Sequence, residues 1–525
     1  MAAKIVRTGE AASAALARGV DVAADIVGTT IGPAGRTVLI GREHVSPLLV
    51  RQGYAIMQQL DLDDPGEQMG VQAMRELAWR TSDQVGDGTS SAIVMARALL
   101  RAGMAAVAAG VAPADLQDGL DAHCRAVVAE LEARADTAPS PEQLEAVAAQ
   151  AASGDRVIGR LLVEAHTEVG PSGVVQVLEG HGSRDEVQVD PGLHFDQGWI
   201  SPYFVDDQPT QSVEIDKPLV ILHLGAVNDL GPIVPVLEMI AKADRGLVLI
   251  AENVGGDALS TLVVNKQRAG FKVAAVKAPG AGRWRELMLE DLAIATGGVV
   301  IGGPLGTSLE QLRPSMAGRA QKVRITRTGT TMVGGGGDPA LVARRTDEIR
   351  DAIRREKHLS FDRDQHRKRL ARLEAAVATV RIGGATTTAI AERHARALAA
   401  SAAVRAAMAE GIVPGGSSSL VHMGLLLRSR LPGDLAGQMI HRTMSACLQA
   451  PLQAIAANGG LDGRSVCHHL EAAGDRSCFD MTARTLVAAD AIGDPLPVLR
   501  AALINSVSTA SRLLGLGAAI TSTAA

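Results

Sequence analysis

Aromatic side chains are almost absent from this 525-residue chain: Phe, Trp and Tyr together make 2% of it. The hydrophobic fraction is nevertheless 47%, so the core must be aliphatic, assembled from Ala, Val, Leu, Ile and Met. Cysteine is equally scarce. Cys124, Cys447, Cys467 and Cys478 form no CxxC pair, which argues against a zinc site or a disulfide framework and fits a reducing compartment. Neither sign of charge dominates: 52 basic against 57 acidic residues give a net charge of −5, so no global field draws the chain to nucleic acid. No charged-then-apolar leader opens the sequence at Met1–Thr8, and no apolar run reads as a bilayer span. HExxH and GxSxG are also missing. These absences predict a cytoplasmic protein of roughly three or four domains, with no membrane and no nucleic acid as partner.

What the chain does contain is Gly86-Asp87-Gly88-Thr89-Ser90-Ser91, followed at once by an apolar-striped helix pattern with Ile93, Ala96, Leu100, Met104 and Val107 on one face. Glycines let a backbone approach a phosphate closely. A helix start aims free N–H groups at an anion. Asp87 supplies an oxygen ligand for a hard cation, and the hydroxyls suit phosphate oxygens. The pattern points to a nucleotide phosphate with Mg2+. Taken alone, the hexapeptide fits an ordinary loop before a helix equally well.

The rest of the chain sorts into two textures. Leu16, Val20, Ala23 and Val27 make a helical stripe that stops at Gly28. Thr30-Ile31-Gly32-Pro33 then forms a turn and Thr37–Ile40 a short strand. Pro139 and Pro141 mark a linker after Ala133. Between about Lys217 and Ile301, strands (219–222, 247–250, 273–276) alternate with helices (233–243, 259–267), the signature of a parallel α/β domain. Residues 350–373 read as a solvated charged helix, and Gly334–Gly337 as a flexible loop. Gly280-Ala281-Gly282 lacks the third glycine of a dinucleotide fingerprint, because position 285 is Arg285. His468 and His469 face different ways on a helix, so they do not share a metal. After Ala385 the chain returns to Ala-rich helices like those of the N-terminal part. The expected architecture is a discontinuous helical domain carrying an α/β insertion.

Together, Thr30-Ile31-Gly32-Pro33-Ala34-Gly35-Arg36, the motif Gly86–Ser91 and Glu410-Gly411-Ile412-Val413-Pro414-Gly415-Gly416 resemble a group I chaperonin of the GroEL type. The stretches 196–204 (DQGWISPYF), 235–238, 261–265 and 273–280 (VAAVKAPG) resemble that family too. The resemblance implies a multidomain α and α/β chaperonin fold. An all-α equatorial ATP-binding domain would span 1–133 plus 410–525, an intermediate hinge domain 134–189 plus 378–409, and an inserted α/β apical domain 190–377. It implies ATP and Mg2+ as ligands, non-native polypeptides as partners, homo-oligomeric rings and a small lid-like co-chaperonin.

Residue by residue, the resemblance assigns Thr30, Ile31, Gly32 and Pro33 to the first phosphate turn and Asp87 to Mg2+. It assigns Gly88, Thr89, Ser90 and Ser91 to the phosphate loop, and Arg51, in place of the family's Lys, to the terminal phosphate. Gly415 and Gly416 would pass close to the nucleotide, Asp494 would meet the ribose, and Asp480, reached with a short gap, the base. In the apical domain Trp199, Tyr203, Phe204, Val234, Leu237, Leu259, Val263 and Val264 would form an apolar polypeptide-binding groove. From the residues alone, the helical stripes among these fit a packed core instead.

Two departures bear on chemistry. The family's water-positioning carboxylate, twelve residues before Gly411, is Ala399 here, and no Asp or Glu lies between Glu392 and Glu410. A second family carboxylate is Gln52, which cannot accept a proton at neutral pH. The expectation is an ATP-binding chaperone whose hydrolysis is impaired, or a non-cycling holdase or scaffold. Ala375-Ala376 in place of paired hinge glycines predicts a stiffer apical hinge, with Gly192 retained on the other strand. The terminal strand that would knit neighbouring subunits reads as degraded.

Overall fold

The computed structural model describes residues 4–42, 45–170, 173–180, 182–208, 210–229, 231, 233–243, 245–302, 308–356, 360–428 and 434–522. The chain divides into two compact units. One comprises Met1–Glu164, Val177–Glu186 and Arg381–Ala525; the other comprises Ala165–Gln176 and Val187–Val380. The segment expected as a separate intermediate domain is not set apart by this division.

The first unit is helical, and its core is aliphatic, as the shortage of aromatics requires. Leu16, Val20, Ala23 and Val27 are all buried on helix Gly9–Gly28, packed with Met74, Leu77, Ile93 and Leu99. Helix Pro65–Val85 starts on Asp64, whose Oδ1 accepts from the N–H groups of Gly66 (2.8 Å) and Glu67 (3.0 Å). It ends at Gly86, in the left-handed conformation. Helix Thr89–Ala108 has the length and apolar composition of a membrane span, contrary to the sequence reading. Half of it is buried within the unit, packed against helices Leu435–Asn458 and Leu496–Leu514, which makes it a core helix. All four cysteines are free and buried, and burial pushes the Cys124 thiol up to about 12, so they act as small core groups.

The terminal strand is better formed than the sequence suggested. Lys4–Thr8 pairs antiparallel with Ala518–Ser522, setting Val6 opposite Ile520. Val38–Arg42 and Val45–Val50 form a second two-stranded ribbon. Val6, Ile520, Leu39 and Leu49 are exposed on these ribbons.

The second unit is built on the alternating run. Strands Leu219–Val227, Leu247–Val254 and Val273–Lys277 lie side by side in parallel, with Leu219 beside Leu247 and Leu247 beside Val273. Helices Ile233–Ala243 and Gly256–Ala269 make the two crossovers. Right-handed connections put both helices on the same face of the sheet. Strand Gly318–Ile325 continues the sheet antiparallel, followed by Thr330–Gly335 and then Glu186–Phe195.

Two expectations are corrected here. Gly334–Gly337 is not a loose loop. Gly336 N–H donates to Arg319 O (2.8 Å) and Gly337 N–H to Ala295 O (3.0 Å). A Cβ on Gly337 would lie 2.0 Å from Ile294 O, so a backbone crossing demands the glycine. Nor is 350–373 one solvated helix. It falls on helices Pro339–Arg355 and Ser360–Leu373, and Arg369, only 3% exposed, is buried against Asp291. Arg369 Nε and Nη2 reach the two Asp291 oxygens at 2.6 and 2.8 Å, and Arg345 Nε joins at 2.8 Å.

Candidate nucleotide site

The sequence motifs of the first unit converge on one cavity of about 210 Å3. Its phosphate-like side is the junction of two helices. Gly86 (φ 74°) closes one and Gly88 (φ 78°) opens the next, with Asp87 held between them. A side chain at Gly88 would also strike Val498 Cγ1 at 2.7 Å. Helix Thr89–Ala108 has no side-chain cap, so its first N–H groups are left to a ligand. The turn at Thr30–Gly32 faces this junction. Thr30 Oγ1 donates to Val27 O (2.7 Å) and lies 3.3 Å from Ser90 Oγ. Thr30, Ile31, Gly32, Arg51, Asp87, Gly88, Thr89, Ser90, Ser91 and Asp494 all line the cavity.

The cavity's acids are held differently. Asp87 accepts the Gly88 N–H at 2.7 Å and forms no ion pair among the described residues. Burial pushes its carboxyl up to about 6; the Gly88 hydrogen bond opposes the shift and the charge of Asp494 adds to it. Asp494 is also raised by burial, but both its oxygens are engaged, by Ser417 N–H (2.7 Å) and by Gln150 Nε2 (2.9 Å). A half-buried carboxylate without a cationic partner suits a divalent ion. Mg2+ commonly binds one or two carboxylates and completes its shell with phosphate oxygens and water. Asp87 therefore fits that role.

The cations are Arg51 and Arg396. Arg51 Nη2 donates to Gly35 O at 2.5 Å. Its Nε is buried without a partner among the described residues, as is that of Arg396. Burial lowers the Arg51 pKa, Glu392 counters this, and Arg396 adds to it. Arg396 Nη2 already donates to Glu392 at 2.7 Å, so Arg51, which forms no ion pair among the described residues, is the cation freer to meet an anion.

The side expected to carry the reaction is bare. Ala399 lines the cavity with a methyl group. Gln52 also lines it, with Nε2 donating to Ala395 O at 2.8 Å.

Other expected residues fall elsewhere. Pro33 and the pair Gly415-Gly416 sit next in sequence to lining residues without lining the cavity themselves. Asp480 does not line the cavity: its Oδ1 accepts from Thr482 N–H (2.7 Å) and Ala483 N–H (3.1 Å), closing its own turn. In the α/β unit, Tyr203, Val234 and Val264 are exposed. Trp199, Leu237, Leu259 and Val263 are half-buried against the core. Phe204 is fully buried in that core, so the ring is a packing residue and cannot meet a polypeptide.

Sequence reasoning missed several contributors. Ser417 (φ 61°) and Gln150 hold Asp494. Asn458 Nδ2 donates to Gly28 O (2.8 Å) and Ile31 O (2.9 Å), pinning the first turn from 430 residues away. Arg396, the last cation before Ala399, offered the one visible signal.

Comparison with known proteins identifies the family. The TCP-1/cpn60 chaperonin family matches residues 23–223 and 232–523. Chaperonin GroEL 2 of Cereibacter sphaeroides strain ATCC 17023 is 38% identical over 519 residues, covering 98% of this chain and 95% of the relative. A second Cereibacter sphaeroides Chaperonin GroEL 2 shows the same identity and coverage. Among solved structures, chaperonin gp146 from bacteriophage EL 2 (Pseudomonas aeruginosa), obtained in the presence of ATP-BeFx, matches with a TM-score of 0.70. It is 17% identical, with 98% of this chain and 99% of that one covered. The chain thus belongs to the TCP-1/cpn60 chaperonin family, as a member of the GroEL type.

Proposed function

We propose that this chaperonin binds MgATP in the cavity around Asp87, turns it over slowly, and offers apolar side chains of its α/β unit to non-native polypeptides in the cytoplasm. A chaperone role in protein folding comes with the family. The observation that carries the nucleotide reading is the uncapped helix start at Thr89 beside a half-buried Asp87 that forms no ion pair among the described residues, within one cavity with Thr30–Gly32. Anions are favoured at such a helix start by free N–H groups and by the helix dipole. Asp87 would hold Mg2+, which would neutralise and orient the phosphates. Thr89, Ser90 and Ser91 would hydrogen-bond phosphate oxygens, and Arg51 and Arg396 would meet the terminal phosphate. Ser417 and Gln150 fix the orientation of Asp494 toward the ribose side.

Slow turnover follows from the bare side. Attack by water needs a group to orient it and take its proton, worth about a hundred- to ten-thousand-fold in rate. Ala399 cannot do this, and the Gln52 amide is tied to Ala395 O. Asp494 is fully engaged. Hydrolysis at least about a hundredfold slower than usual for the family is expected.

Tyr203, Val234 and Val264 supply exposed apolar surface for a client. The two ribbons, with exposed Val6, Ile520, Leu39 and Leu49, favour homo-oligomer formation by strand addition. A three-part organisation, with 134–189 and 378–409 as the hinge, fits this reading. A co-chaperonin is the natural partner of a cycling ring. Ala399 and Gln52 favour the second reading, a holdase or scaffold that binds nucleotide without cycling. Calorimetric titration with MgATP tests the first claim: no binding refutes it. Steady-state ATPase together with native mass separates the two readings. Rings with turnover indicate a foldase; a small oligomer without turnover indicates a scaffold.

A further inference from the structure

Away from the nucleotide cavity, the helical unit carries a trough of about 940 Å3. Helices Thr89–Ala108, Leu435–Asn458 and Gly463–Ala473 wall it. Its floor is made of small side chains such as Ala98, Ala446 and Ala450. Along the middle helix the lining runs from Gln438 to Ala457. At 1.5 Å per helical residue this is about 28 Å, so the trough is long rather than round.

Its charge is unlike that of the chain. The lining holds Arg97, Arg101, Arg428, Arg442 and Arg464 against a single carboxylate, Glu471, in a protein whose net charge is −5. Arg97 and Arg101 pair with Asp25 and Asp21, and Arg428 lies 3.7 Å from Glu471. Arg442 and Arg464 are exposed and form no ion pair among the described residues. A second observation comes from beneath the rim. His441 lines the trough, is only 5% exposed, and has a buried Nδ1 with no hydrogen-bond partner. Its Nε2 lies 3.3 Å from Ser445 Oγ, so the ring is a fixed part of the wall beneath the arginines.

We propose that this trough binds a linear oligophosphate of the inorganic polyphosphate class. Every cation in it is arginine, whose planar fork meets phosphate oxygens in pairs. No aromatic residue lines it, so it offers no platform for stacking bases and does not suit single-stranded nucleic acid. Gln449 Nε2 donates to Glu471 (2.9 Å) and Gln453 Nε2 to Gln449 (3.2 Å), and an acidic peptide is the competing occupant that a polyglutamate comparison tests. A phosphate chain needs only the cations.

The test uses the full-length protein, titrated calorimetrically with inorganic polyphosphate, with orthophosphate and polyglutamate as comparators. Polyphosphate should bind, more weakly as salt rises from 50 to 200 mM, and far more tightly than either comparator. The double variant Arg442→Ser, Arg464→Ser removes two exposed, unpaired side chains, so its thermal melt should match the parent. It should weaken polyphosphate binding at least tenfold and leave MgATP binding unchanged. The proposal is overturned by absent binding, by undiminished binding in the variant, or by equal binding of polyglutamate. A variant that loses oligomers while neither form binds polyphosphate would also overturn it and make the trough a contact between copies of the chain.

Discussion

The nucleotide cavity has two unequal sides. Around Gly86, Asp87 and Gly88 every group has a structural assignment: two left-handed glycines, an uncapped helix start, a half-buried acid and two arginines whose Nε atoms have no partner among the described residues. Around Ala399 and Gln52 there is a methyl group and an amide already in use. On the proposed reading, the contrast teaches that holding a triphosphate and cleaving it would be separable tasks within one pocket. The first would depend on backbone geometry shared among many residues. The second would depend on one or two carboxylates, which single substitutions remove.

Several experiments would break or sharpen this contrast. Asp87→Ala should have the largest effect, weakening MgATP binding by at least about a hundredfold in calorimetry while the melt stays cooperative. Retained affinity would mean the well-built side is not a nucleotide site. Ala399→Asp should raise steady-state ATPase activity by about a hundredfold. No gain would show that Gln52, or other parts, must also be restored. The pH dependence is next. A carboxylate must be ionised to hold a divalent cation, and burial places that ionisation at about 6 for Asp87 rather than in the ordinary carboxylate range. MgATP affinity should thus be present above about pH 6 and fall about tenfold per unit below it, with Asp87→Asn flattening this dependence. The raised value also means that the ligand-free fold gains stability as pH falls through 6, which melts between pH 7 and 5 would read. Asn458→Ala should have a smaller effect, about tenfold on MgATP affinity, by leaving two turn carbonyls without a partner. Arg396→Ala should weaken ATP severalfold and leave ADP nearly unchanged. An equal loss for both would remove Arg396 from the terminal phosphate.

Much of this was legible in the sequence, because local patterns report local structure. The helix Ile233–Ala243 and the three parallel strands were marked by periodicity. The phosphate side was legible because glycines, an acid and hydroxyls lie within six residues. What stayed hidden depends on tertiary placement. Asn458, Ser417 and Gln150 act across hundreds of residues or from unremarkable contexts. Phe204 shared a short aromatic cluster with the exposed Tyr203, and only the packed core separates their roles. Gly334–Gly337 reads as slack in one dimension, yet a neighbouring backbone needs the space that side chains would fill. Arg369 belongs to a strongly charged run, and only the fold reveals Asp291 beside it.

Asn458 ties the first turn of the pocket to a residue 430 positions further along the sequence, and Ser417 and Asp494 come from the same distant region. On the proposed reading, a segment carrying only the two glycine loops would lack the side chains that pin them, and would bind MgATP far more weakly than the chain that also carries Ser417, Asn458 and Asp494.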